Sequence, residues 1–345
     1  MGGAGRSLYS SSRRTLWRRQ VSKWYFEVWN EPNIDFWTGK PAQSTYFQLY
    51  DSAARAVKRV STQLRVGGPA TAQAAWVGDF LAHCAANQVP CDFASTHVYG
   101  NDSAKDVFRT NEKIPRRDMV ARAVRKVYDQ VQASPLPNVP IIWSEYNASY
   151  MNEPQITDQV FMAPWLADTI RQCDGLVDIM SYWTFSDVFE EQGVVKTPFY
   201  GGFGLVAAGG LPKPAFNAFK ILHLLGDRRL PVGSNIALAS TKDGKPVLAA
   251  WNLVLPGATG TGKSVTFQFS GLSGPHIAVI HRVDATHGSL VDAYTQMGSP
   301  QYPTRTQILT LQRAAGLPEP DRQQIADNQL TLELPAQSLV VVEVQ

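Results

Sequence analysis

Two glutamates, each placed where a strand-like run ends, are the residues of this sequence best suited to chemistry. Glu31 follows the aromatic and β-branched run WYFEVWN, and Glu145 follows VPIIWS. Pro32 cannot donate to a sheet ladder and is expected to hold Glu31 in an extended conformation, so the strand should stop there. Two carboxylates about 5–5.5 Å apart can cleave a glycosidic bond with retention, because one protonates the leaving oxygen while the other attacks the carbon. Either Glu alone is typical of a solvated turn, but their matching positions favour the catalytic interpretation.

The elements that must position these carboxylates form a repeating pattern of short apolar runs followed by amphipathic stretches. Mostly apolar strands alternating with amphipathic helices predict parallel strands covered by helices. In a parallel barrel the catalytic residues lie at the C-terminal ends of the strands, where both glutamates are expected. The predicted strands are 24–30, 64–70, 92–100, 139–147 and 177–185, and the predicted helices are 43–62, 74–87, 116–132, 157–173 and 216–226.

The fold class predicted is α/β, of the (β/α)8 TIM-barrel type. Such a barrel needs eight units in about 250 residues, whereas five units are found here within residues 23–229. We therefore expect the last five strand–helix units of a barrel whose first three are absent. Residues 1–22 are basic and unpatterned and are expected to be unstructured. Residues 230–345 change to short alternating strands with one helix at 304–317, which predicts an antiparallel β-sandwich domain.

The composition is that of an ordinary soluble globular protein, with 44% hydrophobic and 18% charged residues and a net charge of +3 in 345 residues. It favours neither nucleic acid nor a membrane as a partner.

Cys84, Cys91 and Cys173 are expected to be free thiols. The N-terminus lacks the apolar stretch of a secretory signal. The sequence does not determine the compartment: it is cytoplasmic as written, and periplasmic or secreted if the true N-terminus lies upstream. Oligomeric state is not predicted.

One glycine-rich segment imitates a phosphate-binding loop. GATGTGKS at 257–264 satisfies the pattern G-x-x-x-x-G-K-[ST], which works when a helix begins at the lysine. The residues after Lys263 alternate as a strand instead. The stretch 251–269 is therefore interpreted as a hairpin with a glycine-rich turn, not as a nucleotide site.

WNEPN at 29–33, followed later by the strand-terminal SEYN at 144–147, resembles the clan of retaining glycosidase barrels with catalytic glutamates on the fourth and seventh strands. Within that clan the sequence is most similar to glycoside hydrolase family 39, the β-xylosidase family. The resemblance implies that Glu31 is the acid/base and Glu145 the nucleophile, and that the strand before Glu31 is the fourth. It implies release of β-linked xylose from the ends of xylo-oligosaccharides, as in xylan degradation, without a cofactor or metal.

The same resemblance implies a set of substrate-binding residues. His97 and Tyr99, two residues apart in STHVYG, would line the sugar site, with the Tyr99 hydroxyl near Glu145. A raised pKa would keep Glu31 protonated, and burial beside Trp29 and Trp37 could supply it. The complete substrate-binding set is Asn30, Trp37, His97, Tyr99, Trp183, Glu190 and Glu191.

Two other interpretations remain open at this stage. The chain could act on another sugar, such as an α-L-iduronide, an arabinoside or a glucoside, although the acidic Glu190–Glu191 pair argues against a uronic acid. It could also be an inactive truncated gene product, because a barrel without three of its strands has two open edges.

Overall fold

A computed structural model describes residues 19–189, 193, 195, 197–272 and 274–345. The chain divides into two compact units. Within the described residues, unit 1 contains 19–113, 121–146 and 175–182. Unit 2 contains 114–120, 147–174 and the described residues from 183 to 345.

Unit 1 is built on a five-stranded sheet whose strands follow one another in chain order. The registers of β1 with β2, β2 with β3 and β4 with β5 are parallel. Each strand is separated from the next by a helical connection, which is what a parallel pairing requires. The strands are β1 (Tyr25–Glu27), β2 (Arg65–Thr71), β3 (Phe93–Tyr99), β4 (Ile141–Asn147) and β5 (Ile179–Tyr182).

The sheet is curled strongly enough to bring its first and fourth strands together. The Ser144 hydroxyl on β4 donates to Oε1 of Glu27 on β1 over 2.6 Å. In a flat sheet these strands would be about 14 Å apart, since neighbouring strands lie about 4.7–4.9 Å from each other. The α/β part of the chain is thus a curled half-barrel, with the side chains of its concave face close to one another.

The helices of unit 1 cover this sheet with aromatic side chains. In the first helix Tyr46 and Tyr50 are fully buried, and Tyr50 packs edge-on against Phe80 of the second helix at a centroid distance of 4.6 Å. The spacing of 46, 50 and 54 places the buried residues on one helix face. The helices are α1 (Ala42–Val60), α2 (Val77–Ala86), α3 (Ala104–Phe108) and α4 (Arg116–Gln132), whose first residues belong to unit 2.

The antiparallel sheets of unit 2 contain its apolar core. The larger sheet has six strands in the order β13-β12-β15-β10-β9-β8, and β11 pairs with β14 in a separate two-stranded sheet. Buried leucines of β14 join the alternate apolar residues of β10 and β15 in one cluster. The strands are β8 (Arg228–Leu230), β9 (Ala237–Lys242), β10 (Lys245–Asn252), β11 (Lys263–Gln268), β12 (His276–Val283), β13 (Asp321–Ile325), β14 (Gln329–Leu334) and β15 (Ser338–Val344), after a short pair β6 (Val206–Ala207) and β7 (Leu211–Pro212).

Four helices complete the described part of unit 2. Two of them, α5 (Met162–Cys173) and α6 (Pro214–Leu222), pack on each other and on the six-stranded sheet. The others are α7 (Val291–Gln296) and α8 (Arg305–Ala314), and the last begins with a capping box in which Thr304 and Gln307 satisfy each other's backbone amides. Helix α6 starts directly after Lys213, which is fully buried between the carboxylates of Asp158 and Asp187.

The hairpin predicted for the glycine-rich stretch 251–269 is wrong. Strand β11 begins at Lys263, but it pairs with β14, whereas β10 pairs with β9 and β15. Residues 253–262 therefore connect two different sheets. The three cysteines are free thiols, as predicted. Among the described residues, no helix combines the length and apolar character that crossing a membrane would require.

Candidate active site

A tight turn at the end of β1 carries Glu31 into the concave side of the half-barrel. The Glu31 amide donates to the Ala70 carbonyl over 2.8 Å, and the Asn33 side chain makes two hydrogen bonds to the backbone of Ala72. The predicted extended conformation of Glu31 is wrong, because its φ of 47° lies in the left-handed region. That region costs a non-glycine residue about 1–2 kcal/mol. The turn thus holds Glu31 in a strained conformation, and its side chain is buried.

Glu145 approaches Glu31 through an irregularity in β4. Consecutive residues of a regular strand point to opposite faces. The register of β4 against β5 shifts between Trp143 and Tyr146, and a bulge of this kind can re-aim a side chain beside an active site. Ser144 and Glu145 consequently both contact side chains that project from the concave face of β3.

His97 and Tyr99 of β3 connect the two carboxylates. Nδ1 of His97 lies 3.0 Å from Oε1 of Glu31 and 3.7 Å from Oε2 of Glu145. The Tyr99 hydroxyl donates to Oε2 of Glu145 over 2.6 Å. All four side chains are buried. The structure therefore brings four predicted site residues, Glu31, His97, Tyr99 and Glu145, into one cluster, in which two hydrogen-bonded pairs meet at the 3.7 Å contact between His97 and Glu145.

The electrostatics of the cluster follow from burial and mutual charge. Burial lowers the pKa of His97, but the hydrogen bond that its imidazole donates to Glu31 and the charges of Glu145, Glu31 and Glu27 outweigh burial, so this pKa is raised above its usual value. Burial raises the pKa of Glu145, while His97 and the Tyr99 hydroxyl lower it; the net shift is upward. The pKa of Tyr99 is raised, first by burial and then by Glu145, so it remains a hydrogen-bond donor.

Three residues of the site were not predicted from the sequence. Ser144 lies 3.1 Å from Nε2 of His97 and donates to Glu27, which extends the cluster to β1. The carboxylate of Asp102 accepts the Tyr99 amide over 2.7 Å, and its burial raises its pKa to about 7. Glu27 stands four residues before Glu31 on the same strand run, and this spacing was the only signal that could have indicated it.

The cluster also has the composition of a possible metal site. One ligand atom each from Glu31, His97 and Glu145 lie within 4.8 Å of one another, and no other group of this kind occurs in the part of the chain that the structure describes. A histidine nitrogen and two carboxylates suit a divalent transition metal. The contacts at 3.0 and 2.6 Å show these atoms engaged instead as hydrogen-bonding partners. That no metal is required stays a prediction.

Asn30 and Trp37 lie close to Glu31 along the chain. Asn30 is exposed. Trp37 is half-buried, packs edge-on against Trp29 at 5.3 Å, and donates from its indole nitrogen to Thr45. Trp29 itself is 52% exposed, so the apolar burial expected on that side of Glu31 is incomplete.

The remaining predicted substrate residues belong to unit 2 or lie outside the described residues. Trp183 is half-buried, and its ring meets Phe189 edge-on at 5.5 Å. The fully buried Asn147 donates to the Trp183 carbonyl over 2.7 Å. Glu190 and Glu191 fall outside the residues that the structure describes.

The structure thus defines a curled α/β half-barrel with two buried carboxylates at the ends of parallel strands, the arrangement found in retaining glycosidases. Residues 13–325 match the family model described as "Glycosyl hydrolases family 39", and the chain belongs to that family. It is 37% identical over 303 residues to a β-xylosidase of Geobacillus stearothermophilus and 34% identical over 312 residues to one of Caldicellulosiruptor saccharolyticus, which covers 86% and 87% of this chain.

A solved structure, a monomeric β-xylosidase from Caulobacter crescentus CB15, superposes with a TM-score of 0.84 at 33% identity. The match covers 99% of this chain and 74% of that one. The chain spans 60% and 62% of the length of the two curated relatives it matches.

Proposed function

We propose that this protein hydrolyses glycosidic bonds by a retaining double displacement and releases β-linked xylose from the ends of xylo-oligosaccharides. The observation that carries the proposal is the buried pair Glu31 and Glu145, which bring one carboxylate oxygen each within 4.8 Å of the other. Carboxyl groups about 5–5.5 Å apart suit a retaining enzyme, whereas about 6.5–9.5 Å is needed to admit the water of an inverting one. An oxygen-to-oxygen approach within 4.8 Å favours the shorter, retaining spacing.

The hydrogen bonds support different roles for the two carboxylates. Glu145 accepts the Tyr99 hydroxyl, which favours its ionised form and orients it as a nucleophile. Glu31 instead faces Nδ1 of His97, a group that can exchange a proton with it. We assign Glu145 as the nucleophile and Glu31 as the acid and base.

The reaction then proceeds in two displacements. Glu145 attacks the anomeric carbon while Glu31 gives its proton to the leaving oxygen, which forms a covalent glycosyl-enzyme. Water next attacks the same carbon, and Glu31, now a carboxylate, removes its proton. Asn30, on the turn before Glu31, is proposed to bind the sugar 2-hydroxyl, and Trp37, Trp183, Glu190 and Glu191 are proposed as further sugar contacts.

The half-barrel suggests how this chain corresponds to a complete fold. We propose that β1 to β5 are equivalent to the last five strands of an eight-stranded (β/α) barrel, which makes β1 the fourth strand and β4 the seventh. Residues 23–229 are proposed as the catalytic domain and 230–345 as the sandwich domain.

A second candidate keeps the chemistry and changes the sugar. The names of the relatives favour xylose. A uronide would require a cation for its carboxylate, and in the described part of the site the groups around His97 are the acidic Glu27, Glu31 and Glu145. A panel of nitrophenyl xylosides, arabinosides, glucosides and iduronides decides between these substrates; the xyloside is expected to have the highest kcat/KM.

The decisive experiment replaces the nucleophile in the 345-residue chain. Glu145→Ala is expected to abolish turnover of nitrophenyl β-xyloside, and azide is expected to restore release of the aglycone with an inverted glycosyl azide as the product. Retained configuration of that azide would reverse the two roles.

The unsubstituted chain and an exposed-site variant, Glu112→Ala, provide the controls. Both are expected to be active and insensitive to azide. A chain that melts cooperatively but shows no activity on any member of the panel would support the inactive-product interpretation instead.

A further inference from the structure

Four side chains from three strands and the β1 turn form a continuous hydrogen-bonded series beside the proposed nucleophile. Glu27 accepts the Ser144 hydroxyl over 2.6 Å, Ser144 lies 3.1 Å from Nε2 of His97, and Nδ1 of His97 lies 3.0 Å from Glu31. His97 is 1% exposed, whereas Glu27 is exposed. This series of hydrogen bonds therefore links an accessible carboxylate, Glu27, to a buried imidazole, His97.

Counting protons fixes the direction of these hydrogen bonds. A carboxylate can only accept, and a serine hydroxyl carries one hydrogen. Because Ser144 donates its only hydroxyl hydrogen to Glu27, it can only accept a hydrogen bond from His97. Nε2 of His97 must therefore carry a proton. Nδ1 then shares with Glu31 a single proton, which resides either on the imidazole or on the carboxyl group.

The charges around His97 act in the same sense. Glu31 and Glu145 face its Nδ1 side, and Glu27 lies beyond Ser144 on its Nε2 side. Asp102 and the hydroxyl of Tyr99 are the other titratable groups nearby, and the charge of His97 acts on Asp102. An imidazole that is hydrogen-bonded on both ring nitrogens and surrounded by carboxylates is held in one orientation.

We propose that Glu27 and Ser144 are positioning residues that hold His97 with its proton on Nε2, so that Nδ1 stores and returns the proton that Glu31 uses as acid and base. The role in turnover rests on the proposed function, but the tautomer of His97 does not. A carboxylate that fixes a histidine through its far nitrogen is a recurring way to orient a catalytic imidazole. Here a serine is interposed, and the carboxylate comes from the strand that leads into Glu31.

The test measures the ring nitrogens of His97 directly. The full chain is labelled with 15N-histidine, His97 is assigned by comparison with His97→Gln, and its nitrogen shifts are followed through a pH titration. Nε2 is expected to keep the shift of a protonated nitrogen at every pH, while Nδ1 carries the titration. A neutral His97 with its proton on Nδ1 would overturn the proposal without reference to activity or to any other variant.

Two variants test the positioning residues. Ser144→Ala is expected to mix the tautomers of neutral His97 and to move its titration to lower pH. Ser144→Thr, which keeps the hydroxyl, is expected to restore the unsubstituted behaviour. Glu27→Gln is expected to act in the same direction as Ser144→Ala, because it removes the acceptor charge.

The activity readout separates positioning from folding. In Ser144→Ala, kcat is expected to fall about ten- to a hundredfold with little change in KM, the scale expected when a catalytic group is displaced by about 1 Å. The alkaline limb of the kcat/KM profile should move to lower pH. Ser181→Ala, on the exposed face of β5, is the matched control and should behave like the unsubstituted chain.

The outcomes distinguish this inference from the proposed function. An inactive chain whose His97 has the expected tautomer would refute the function, and with it the role in turnover, but would support the positioning of His97 by Glu27 and Ser144. Unchanged nitrogen shifts and an unchanged pH profile in both Ser144→Ala and Glu27→Gln would overturn the inference and leave the function intact.

Discussion

The Tyr99 hydroxyl lies 2.6 Å from Oε2 of Glu145, and both residues are buried. This hydrogen bond lowers the pKa of a carboxyl group that burial would otherwise raise further. Tyr99→Phe is therefore expected to raise the pKa of Glu145. Because the proposed nucleophile must be ionised to act, the acidic limb of the kcat/KM profile should move to higher pH. At neutral pH kcat/KM should fall about ten- to a hundredfold, in line with a hydrogen bond to a charged group. An unmoved acidic limb would contradict this coupling.

The Asn33 side chain is expected to determine how firmly Glu31 is held. Its two hydrogen bonds to Ala72 join the turn after β1 to the segment after β2. Asn33→Ala should lower the free energy of unfolding by about 1–3 kcal/mol in a urea titration. It should also lower kcat, because the strained conformation of Glu31 loses its support. Asp35→Ala, exposed in the same turn, should change neither quantity; a loss of similar size there would contradict the role of Asn33.

The buried carboxyl group of Asp102 should make stability depend on pH. Its pKa is raised to about 7, chiefly by burial, from a usual value of 3.8. Between these values the folded state binds a proton that the unfolded state has lost, so this contribution to stability is fully present below the lower value and is lost as the pH rises towards the upper one.

Asp102→Asn removes that dependence while its amide oxygen can still accept the Tyr99 amide. The variant is expected to be about as stable as the unsubstituted chain near the lower limit and more stable above the upper limit. Urea titrations of both proteins across this range measure the difference, which should widen as the pH rises. A constant difference would exclude Asp102 as the source.

In unit 2, the ammonium group of Lys213 is bound between two buried carboxylates. Its Nζ lies 2.6 Å from Asp158 and 3.1 Å from Asp187, and it donates to the Gly202 carbonyl over 2.7 Å. Lys213→Met leaves two buried carboxylates without their cation and is expected to cost about 3–5 kcal/mol of unfolding free energy. Lys220→Met, exposed at the end of α6, is the control and should be nearly neutral. Equal losses in the two variants would contradict the importance of the buried ion pairs.

The sequence was sufficient to predict the alternation of strands and helices, because period and composition are local properties. Helix α4 has the predicted bounds, and β2, β3 and β4 each lie within two residues of theirs. The positions of Glu31 and Glu145 could be predicted for the same reason, because each glutamate follows an apolar strand-like run.

Features that depend on distant pairing were not predictable. Ser144 was not predictable, because strand alternation places it on the opposite face from Glu145. The shifted register that brings both side chains to one cluster has no sequence signal. The hairpin prediction at 251–269 failed because the partner of β11 is β14, more than sixty residues further along. Lys213 and its two carboxylates are widely separated in sequence and carry no motif.

The irregular register of β4 also limits how this protein can change. Two consecutive side chains, Ser144 and Glu145, contact the same cluster only because the strand departs from its regular pleat between Trp143 and Tyr146. Removing the extra residue there would restore simple alternation and turn one of the two groups to the opposite face of the sheet. The number of residues in this stretch is consequently as constrained as their identity. A one-residue deletion would separate Ser144 from Glu145 even if every polar residue of the cluster were still present in the sequence.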